Sequence, residues 1–277
     1  MLEHFNFPTR NDIQYHPVQT SFDFVNRGSN QLLVTIGDSW TWGADLTPTQ
    51  DQQYRLNNVY GNVVANHLRF DFLNLAVGGS SNTWMAEQFE RLAKLSLTYK
   101  SIVCIITFTE AAREFNSKWD TDFDYLAWTQ QNIIAPNDYY HWLALPNECV
   151  AQRIKQTLAT TNIKLIVGTN FVDPLGIDAL ADYLLPTPWI NQYSPEIFKP
   201  IDHTCYVTSR WVFDKLNDIL DINPDLDKSI FKYWITELAD SALQRLEFIS
   251  NPKYFKKIHH PISSGHRCWA DYILKHL

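Results

Sequence analysis

The stretch LLVTIGDSWTWG, residues 32–43, carries the strongest information about the fold. Its first five residues are aliphatic or β-branched and follow a polar segment, a pattern typical of a strand buried on both faces. The Gly-Asp-Ser that comes next predicts a sharp turn where the strand ends. Open parallel sheets bind ligands at the carboxyl ends of their strands, so this turn would present the hydroxyl of Ser39 at a ligand-binding edge. The segment therefore predicts both an α/β fold and a candidate nucleophile.

Strand-like and helix-like patterns alternate along the rest of the chain. The predicted strands are 70–75, 101–108 and 164–170, and the predicted helices are 54–68, 83–97, 148–160 and 265–277. A repeating unit of about 30 residues is typical of right-handed strand–helix–strand crossovers. The sequence therefore predicts a doubly wound, flavodoxin-like α/β fold of three layers, with a parallel sheet of about five strands.

The predicted domain organisation is one α/β domain, residues 31–277, preceded by an irregular arm, residues 1–30. We expect the arm to pack over the domain or onto a protein partner, which includes self-association with a second copy. Two insertions interrupt the domain. The first, about 116–147, is rich in aromatic residues and is predicted to be a lid or a partner-binding surface. The second, about 173–250, is punctuated by prolines and is predicted to be mostly helical, with helices at 206–220 and 228–249.

Composition excludes several classes of function. Of the 277 residues, 45 % are hydrophobic and 19 % are charged, which is typical of a globular protein. The net charge of −7 disfavours binding to nucleic acid or to an anionic membrane. Residues 1–8 lack the basic and apolar regions of a secretory signal, and no apolar run is long enough to span a bilayer. We therefore expect a cytoplasmic or virion-associated protein, with neither location favoured.

The four cysteines, Cys104, Cys149, Cys205 and Cys268, show neither CxxC spacing nor a zinc-ligand pattern. Cys104 lies inside an apolar run and is predicted to be an inert core thiol. We expect all four to be reduced and structural, and we expect neither a metal nor a cofactor.

Three further blocks accompany the Gly37-Asp38-Ser39 turn. The segment Asn74-Leu75-Ala76-Val77-Gly78-Gly79 follows the second predicted strand, Thr109 follows the third, and His260-Pro261 precedes the last helix. In this order the chain resembles the SGNH/GDSL hydrolase superfamily. The resemblance covers residues 32–277, but only in blocks, and the insertions match nothing in it.

The resemblance implies a role for each block. Ser39 would be the nucleophile and His260 the general base, and the backbone amides of Ser39 and Gly79 would form the oxyanion hole. This chemistry needs those groups because a serine hydroxyl is a weak nucleophile until an imidazole takes its proton. The tetrahedral oxyanion that follows needs fixed hydrogen-bond donors.

The chain departs from the family pattern at two positions. Thr109 stands where the family has an asparagine that donates to the oxyanion, and its hydroxyl is predicted to donate instead. Lys257 stands three residues before His260, where the family carries the aspartate that orients the histidine. The base would then act in a Ser-His dyad or take its acid from Glu110 or Asp173.

For several residues near these blocks, the sequence allows two alternative roles. His259 is the alternative to His260 as the base. Glu110 and Arg113 contact substrate or form a surface ion pair. For His266 the sequence favours a packing or capping role over a catalytic one.

The residues around Ser39 raise similar alternatives. Trp40 and Trp42 are either a wall for a sugar or acyl group, or the packed start of a helix. Asp38 is assigned the task of bracing the turn through hydrogen bonds.

The function that these features predict is a serine esterase that cleaves a small or carbohydrate-borne ester, such as an O-acetyl group. One alternative is a catalytically weakened binding or structural subunit of a larger assembly, such as a phage particle, since Lys257 and Thr109 replace expected residues. Another is an acyltransferase that uses the same residues on a sugar acceptor. Reaction with a fluorophosphonate probe separates an activated serine from an inert one.

Overall fold

The fold is described from a computed structural model. The structure describes residues 22–44, 46, 52–93, 99–109, 136–170, 176–189 and 261–277. The predicted helices 206–220 and 228–249, and most of both predicted insertions, lie outside these residues.

A five-stranded sheet forms the centre of the described structure. Its strands are β1 (Asp23–Val25), β2 (Gln31–Gly37), β3 (Asp71–Asn74), β4 (Ser101–Phe108) and β5 (Ile163–Thr169), in the spatial order β1-β3-β2-β4-β5. β2 to β5 are mutually parallel, with Leu33 opposite Phe72 of β3 and Val103 of β4. This arrangement confirms the predicted α/β class and the five strands, with β2 at the centre.

The edge strand β1 is the part of the sheet that the sequence missed. It pairs antiparallel to β3, with Phe24 opposite Leu73, so the sheet is mixed rather than wholly parallel. β1 lies within the segment predicted to be an irregular arm, and at three residues it is too short to show a hydrophobic alternation. Residues 1–21 of that arm lie outside the described part of the chain.

Six α-helices surround the sheet in the described residues. They are α1 (Ser39–Trp42), α2 (Gln52–Asn58), α3 (Tyr60–Leu68), α4 (Asn82–Ala93), α5 (Pro136–Leu158) and α6 (Ser263–Leu274). The predicted helix 54–68 is two helices, because Val59 adopts extended backbone angles, φ −65° and ψ 135°.

α5 begins at Pro136 rather than near residue 148, so the end of the predicted aromatic insertion 116–147 is helical. Proline suits the first position of a helix, where its missing N–H costs no hydrogen bond.

Alternate residues of β2 face opposite layers of helices. Leu32, Val34 and Ile36 are buried in a core formed with α4 and α5, and Leu33 is buried in a core formed with α3 and α6. Both faces of the strand are therefore covered, which explains why residues 32–36 are all aliphatic or β-branched. The result is the predicted three-layer arrangement.

A buried ion pair attaches β1 to the rest of the domain. The Arg55 guanidinium donates to Asp23 Oδ2 at 2.7 Å and to the Trp42 carbonyl at 2.9 Å. It also lies over the Trp42 ring, 4.7 Å from the centroid. One side chain of α2 thus links the edge strand to the end of α1.

The segment 176–189 crosses the outer edge of β5. It contains a 3₁₀ helix, Asp178–Tyr183, and Leu184 then pairs with Val167 in a single bridge. This part of the predicted 173–250 insertion is therefore 3₁₀ and extended chain rather than α-helix. Among the helices that the structure describes, none has the length and apolarity needed to cross a membrane.

Candidate active site

Ser39 is the first residue of α1, directly after the central strand β2. Asp38 is the N-cap of this one-turn helix, and its carboxylate accepts a hydrogen bond from the Trp40 N–H at 2.9 Å. The helix ends at Gly43, which has φ +83° and donates its N–H to the Ser39 carbonyl at 3.1 Å. Ser39 is only 7 % exposed. The local sequence thus holds the serine in a tight turn at the carboxyl end of the sheet.

Gly37 makes this turn sterically possible. A β-carbon added at Gly37 would lie 2.2 Å from Thr41 Oγ1 and 2.6 Å from Thr41 Cβ. Neither distance is tolerated by packed atoms, so the residue at the end of β2 must lack a side chain for α1 to fold back over it.

The loop that carries Gly79 is fastened to the same turn. The Gly37 carbonyl accepts hydrogen bonds from the Val77 N–H and the Ser80 hydroxyl, both at 2.9 Å. Gly79 lies between these two residues with φ +79°, a left-handed conformation that favours glycine. Two predicted site residues, Ser39 and Gly79, are therefore held at one edge of the sheet through a single carbonyl.

The carboxylate of Asp38 accepts hydrogen bonds from three parts of the fold. Oδ1 accepts from the Trp40 N–H and from Asn170 Nδ2, each at 2.9 Å, and Oδ2 accepts from the Thr109 hydroxyl at 3.0 Å. Asp38 is fully buried. Its predicted bracing role is confirmed, and it extends beyond the turn to the ends of β4 and β5.

Thr109 uses both of its donors within the protein. Its hydroxyl donates to Asp38, and its N–H donates to Asn82 Oδ1 at 3.0 Å. The predicted oxyanion contact would require the hydroxyl to turn away from Asp38, and it stays a prediction. The structure instead makes Thr109 a second brace of the turn that carries Ser39.

Three buried asparagines form part of this edge, and the sequence did not single them out. Asn170 follows β5 and contacts Asp38, whereas Asn82 opens α4 and donates to the Thr109 carbonyl at 3.1 Å. Asn82 also donates to Asn147 Oδ1 of α5 at 2.9 Å. Their one sequence signal is a position at the end of a predicted strand or the start of a predicted helix.

The two tryptophans beside Ser39 belong to the core. Trp40 and Trp42 are each 3 % exposed. Trp40 meets the Trp189 ring edge to face at 5.4 Å, and Trp42 lies beneath Arg55. Of the two interpretations that the sequence allowed, the packed start of a helix is the one observed.

His266 caps and packs, as the sequence predicted. Its Nδ1 accepts a hydrogen bond from the Tyr60 N–H at 3.3 Å, and its ring stacks on Tyr60. The side chain is fully buried on α6.

The three cysteines that the structure describes, Cys104, Cys149 and Cys268, are free thiols. Burial raises the pKa of the Cys104 thiol, which keeps it protonated and inert, as predicted. Cys149 is exposed rather than buried, Cys268 is half-buried, and the described cysteines form no disulfide. Within the described ranges, no group of three histidine, cysteine, aspartate or glutamate side chains is arranged to hold a metal ion.

The remaining predicted site residues lie outside the described part of the chain. They are His259, His260, Glu110, Arg113, Asp173 and Lys257. Pro261, which follows the predicted base, is described and buried. The identity of the base and of its acid therefore stays a prediction.

Comparison with known proteins finds similar solved structures only. No protein-family model matches the chain, and no curated protein sequence does. A protein described as a GDSL-like lipase from Parabacteroides merdae is 11 % identical with a TM-score of 0.38, covering 91 % of this chain and 97 % of that one. A catalytic mutant of an acetylxylan esterase from Geobacillus stearothermophilus is 14 % identical with a TM-score of 0.37, covering 90 % and 94 %.

A member of the lipolytic G-D-S-L family from Veillonella parvula is also similar. It is 14 % identical with a TM-score of 0.34, and the match covers 88 % of this chain and 97 % of that one. These likenesses are loose, so the assignment of a function rests on the site geometry.

Proposed function

We propose that this chain is a diverged SGNH/GDSL-type serine esterase that cleaves a small or carbohydrate-borne ester, such as an O-acetyl group. The observation that carries the proposal is the arrangement around the Gly37 carbonyl. That carbonyl fastens the turn with Gly79 to the turn with Ser39, so a serine hydroxyl and two backbone amides share one edge of the sheet. Acyl transfer by serine requires a nucleophile beside fixed oxyanion donors.

The proposed reaction proceeds in two halves. The Ser39 hydroxyl attacks the ester carbonyl while His260 takes its proton, and the backbone N–H groups of Ser39 and Gly79 donate to the oxyanion. The alcohol then leaves with the proton from His260, and water releases the acyl group from Ser39 by the same route. Each amide donor contributes about 2.7–4 kcal/mol to transition-state stabilisation in such sites.

The proposed base has no aspartate at the position where the family carries the orienting acid. Lys257 occupies the position of the family's aspartate, so a Ser-His dyad works alone or an acid comes from Glu110 or Asp173. Loss of the orienting acid costs roughly 10⁴ in rate in a serine protease. We therefore expect slow turnover.

Two further contacts belong to the proposal. Arg113 would contact the substrate, and the arm, residues 1–30, would contact a protein partner or a second copy.

A fluorophosphonate probe tests the proposal, together with p-nitrophenyl acetate hydrolysis by the purified full chain. We expect one label per chain on the unmodified protein and none on Ser39→Ala. The matched control is Ser29→Ala, at the opposite end of β2, where the hydroxyl accepts a local hydrogen bond from the Gln31 N–H. That variant should label like the unmodified protein.

The other outcomes identify the competing functions. If the folded, unmodified protein stays unlabelled and hydrolyses no short acyl ester, the proposal is wrong and a binding or structural subunit is favoured. If the protein is labelled but transfers the acetyl group to an added sugar in preference to water, product analysis identifies an acyltransferase.

A further inference from the structure

We infer that Asn170, acting with Thr109 through Asp38, is a positioning residue for the nucleophile turn; this inference rests on the proposed function. Asn170 follows β5 and belongs to no sequence block that predicted the site. Its side chain reaches the residue immediately before Ser39, although 132 positions separate it from Asp38.

The contacts of Asp38 explain how two distant side chains orient Ser39. Oδ1 receives the Trp40 N–H, the bond that starts α1, and it also receives Asn170 Nδ2. Oδ2 receives the Thr109 hydroxyl. Asn170 and Thr109 therefore determine the rotation of the carboxylate, which in turn determines the first turn of α1. The Ser39 hydroxyl and amide both belong to that turn.

The backbone of Asn170 is held in place independently of its side-chain bond to Asp38. Its backbone N–H donates to the Phe108 carbonyl at 3.0 Å, which joins the ends of β4 and β5. Thr109 directly follows Phe108, so the two donors to Asp38 stand on one rigid edge. A donor on paired strands holds an angle better than one on a loop.

The unsatisfied end of the Asn170 amide argues against a purely stabilising role. Asn170 is fully buried, and in the described structure its Oδ1 has no hydrogen-bond partner. Such an oxygen lowers the free energy of unfolding, and leucine would remove it while keeping the number and branching of the side-chain heavy atoms. The feature that leucine could not supply is the N–H donated to Asp38.

The test measures the second-order rate of fluorophosphonate labelling, kcat and KM for p-nitrophenyl acetate, and the Tm of each variant. Asn170→Leu and Thr109→Val each remove one donor while keeping the number and branching of the side-chain heavy atoms. Thr109→Ser keeps the hydroxyl and serves as the conservative rescue. Asn62→Leu is the matched control, because Asn62 is a buried asparagine of α3 that accepts a hydrogen bond from Arg27 instead.

We expect labelling and kcat to fall on the order of 10- to 100-fold in Asn170→Leu and Thr109→Val, as for small misplacements of a reacting group. KM should change little, Thr109→Ser should keep the original rate, and the rate loss of Asn170→Leu should persist under conditions where that variant is fully folded. Asn62→Leu should lose Tm and keep the labelling rate of its folded fraction.

Two results would overturn the inference while leaving the proposed function intact. One is labelling of Asn170→Leu and Thr109→Val at the rate of the unmodified protein. The other is a loss of labelling that follows Tm alone, equally in Asn62→Leu, since that marks a structural role. An unmodified protein that is folded but never labelled overturns the proposed function, and the inference with it.

Discussion

The imidazole of His266 accepts a hydrogen bond from the backbone N–H of Tyr60, with 3.3 Å between Nδ1 and the nitrogen. Val59, the N-cap residue of α3, provides no side-chain bond of its own. A side chain from α6, 206 positions away, thus satisfies the first N–H of α3. The ring also lies against Trp189, which bonds the Gly265 carbonyl through its indole nitrogen at 3.4 Å. One histidine therefore joins two helices on the same face of the sheet.

Replacing His266 by alanine should destabilise the protein by about 2–4 kcal/mol. Loss of a helix cap accounts for about 1 kcal/mol, and the cavity left in an aromatic core accounts for the rest. Urea unfolding measures the change. His276→Ala, an exposed histidine near the C-terminus, should change the unfolding free energy by less than about 0.5 kcal/mol. Equal effects of the two variants would contradict a capping role.

Replacing Arg55 by glutamine should cost about 3–5 kcal/mol, because it leaves the Asp23 carboxylate buried without its partner. Arg55 and Asp23 are both almost fully buried, whereas the Arg153–Glu90 pair is about one-third exposed. Arg153→Gln should therefore cost only about 0–1 kcal/mol. Thermal or urea unfolding of both variants checks the difference, and a loss at Arg153 as large as at Arg55 would count against it.

Under the proposed function, replacing Gly79 by alanine should reduce esterase turnover by about 10²–10³, the cost of one oxyanion donor. A β-carbon is strained at φ +79°, so the turn would relax and move the amide. Gly28→Ala is the matched control: Gly28 has φ +73°, and a β-carbon there would have no atom of the described residues within 4 Å. That variant should lose about 1–2 kcal/mol of stability and keep its kcat. Comparing kcat for the two variants distinguishes the general effect of backbone strain from the loss of an oxyanion donor.

Stability should fall in alkaline solution as tyrosines and a cysteine ionise. Burial, together with the neighbouring Asp71 carboxylate, raises the pKa of Tyr99 to about 12. Above its usual pKa of about 10, the unfolded chain releases this proton first, so the free energy of unfolding decreases between about pH 10 and pH 12. Burial also raises the pKa values of Tyr60 and Cys104 and acts in the same direction.

Urea unfolding at several alkaline pH values tests this dependence. Tyr99→Phe should flatten the decline without abolishing it, because Tyr60 and Cys104 remain. Tyr54→Phe, at an exposed tyrosine, is the control and should follow the unmodified protein. A Tyr99→Phe curve that parallels the original at every pH would show that Tyr99 is not linked to folding.

The sequence alone predicted the central strands and the turn that carries Ser39. β2 and β4 are buried on both faces, so their residues are aliphatic, aromatic or β-branched almost throughout, and that requirement is visible in the sequence as two long runs of such residues. The Gly-Asp-Ser turn was predictable for a similar reason. Gly37 has no room for a β-carbon, and Asp38 caps α1 with its own side chain, so both requirements act within five residues.

Other elements could not be predicted from the sequence, because no local sequence pattern marks them. β1 has three residues, and its place depends on pairing with β3 and on the ion pair between Asp23 and Arg55. The start of α5 at Pro136 was hidden among aromatic residues, which are weak helix formers outside a packed structure.

The candidate site divides in the same way. Ser39 and Gly79 were identified from turn chemistry and family resemblance, whereas the brace of Asn170 and Thr109 on Asp38 emerged only from the folded chain. Thr109 is 71 positions from Asp38 in the sequence, and Asn170 is 132 positions from it. Hydrogen bonds over such separations produce no periodic pattern in a sequence. The sequence by itself thus determined where Ser39 lies, because a strand and its turn obey local rules. Only the tertiary structure decided which side chains hold it, because the parallel sheet brings the ends of distant strands to one edge.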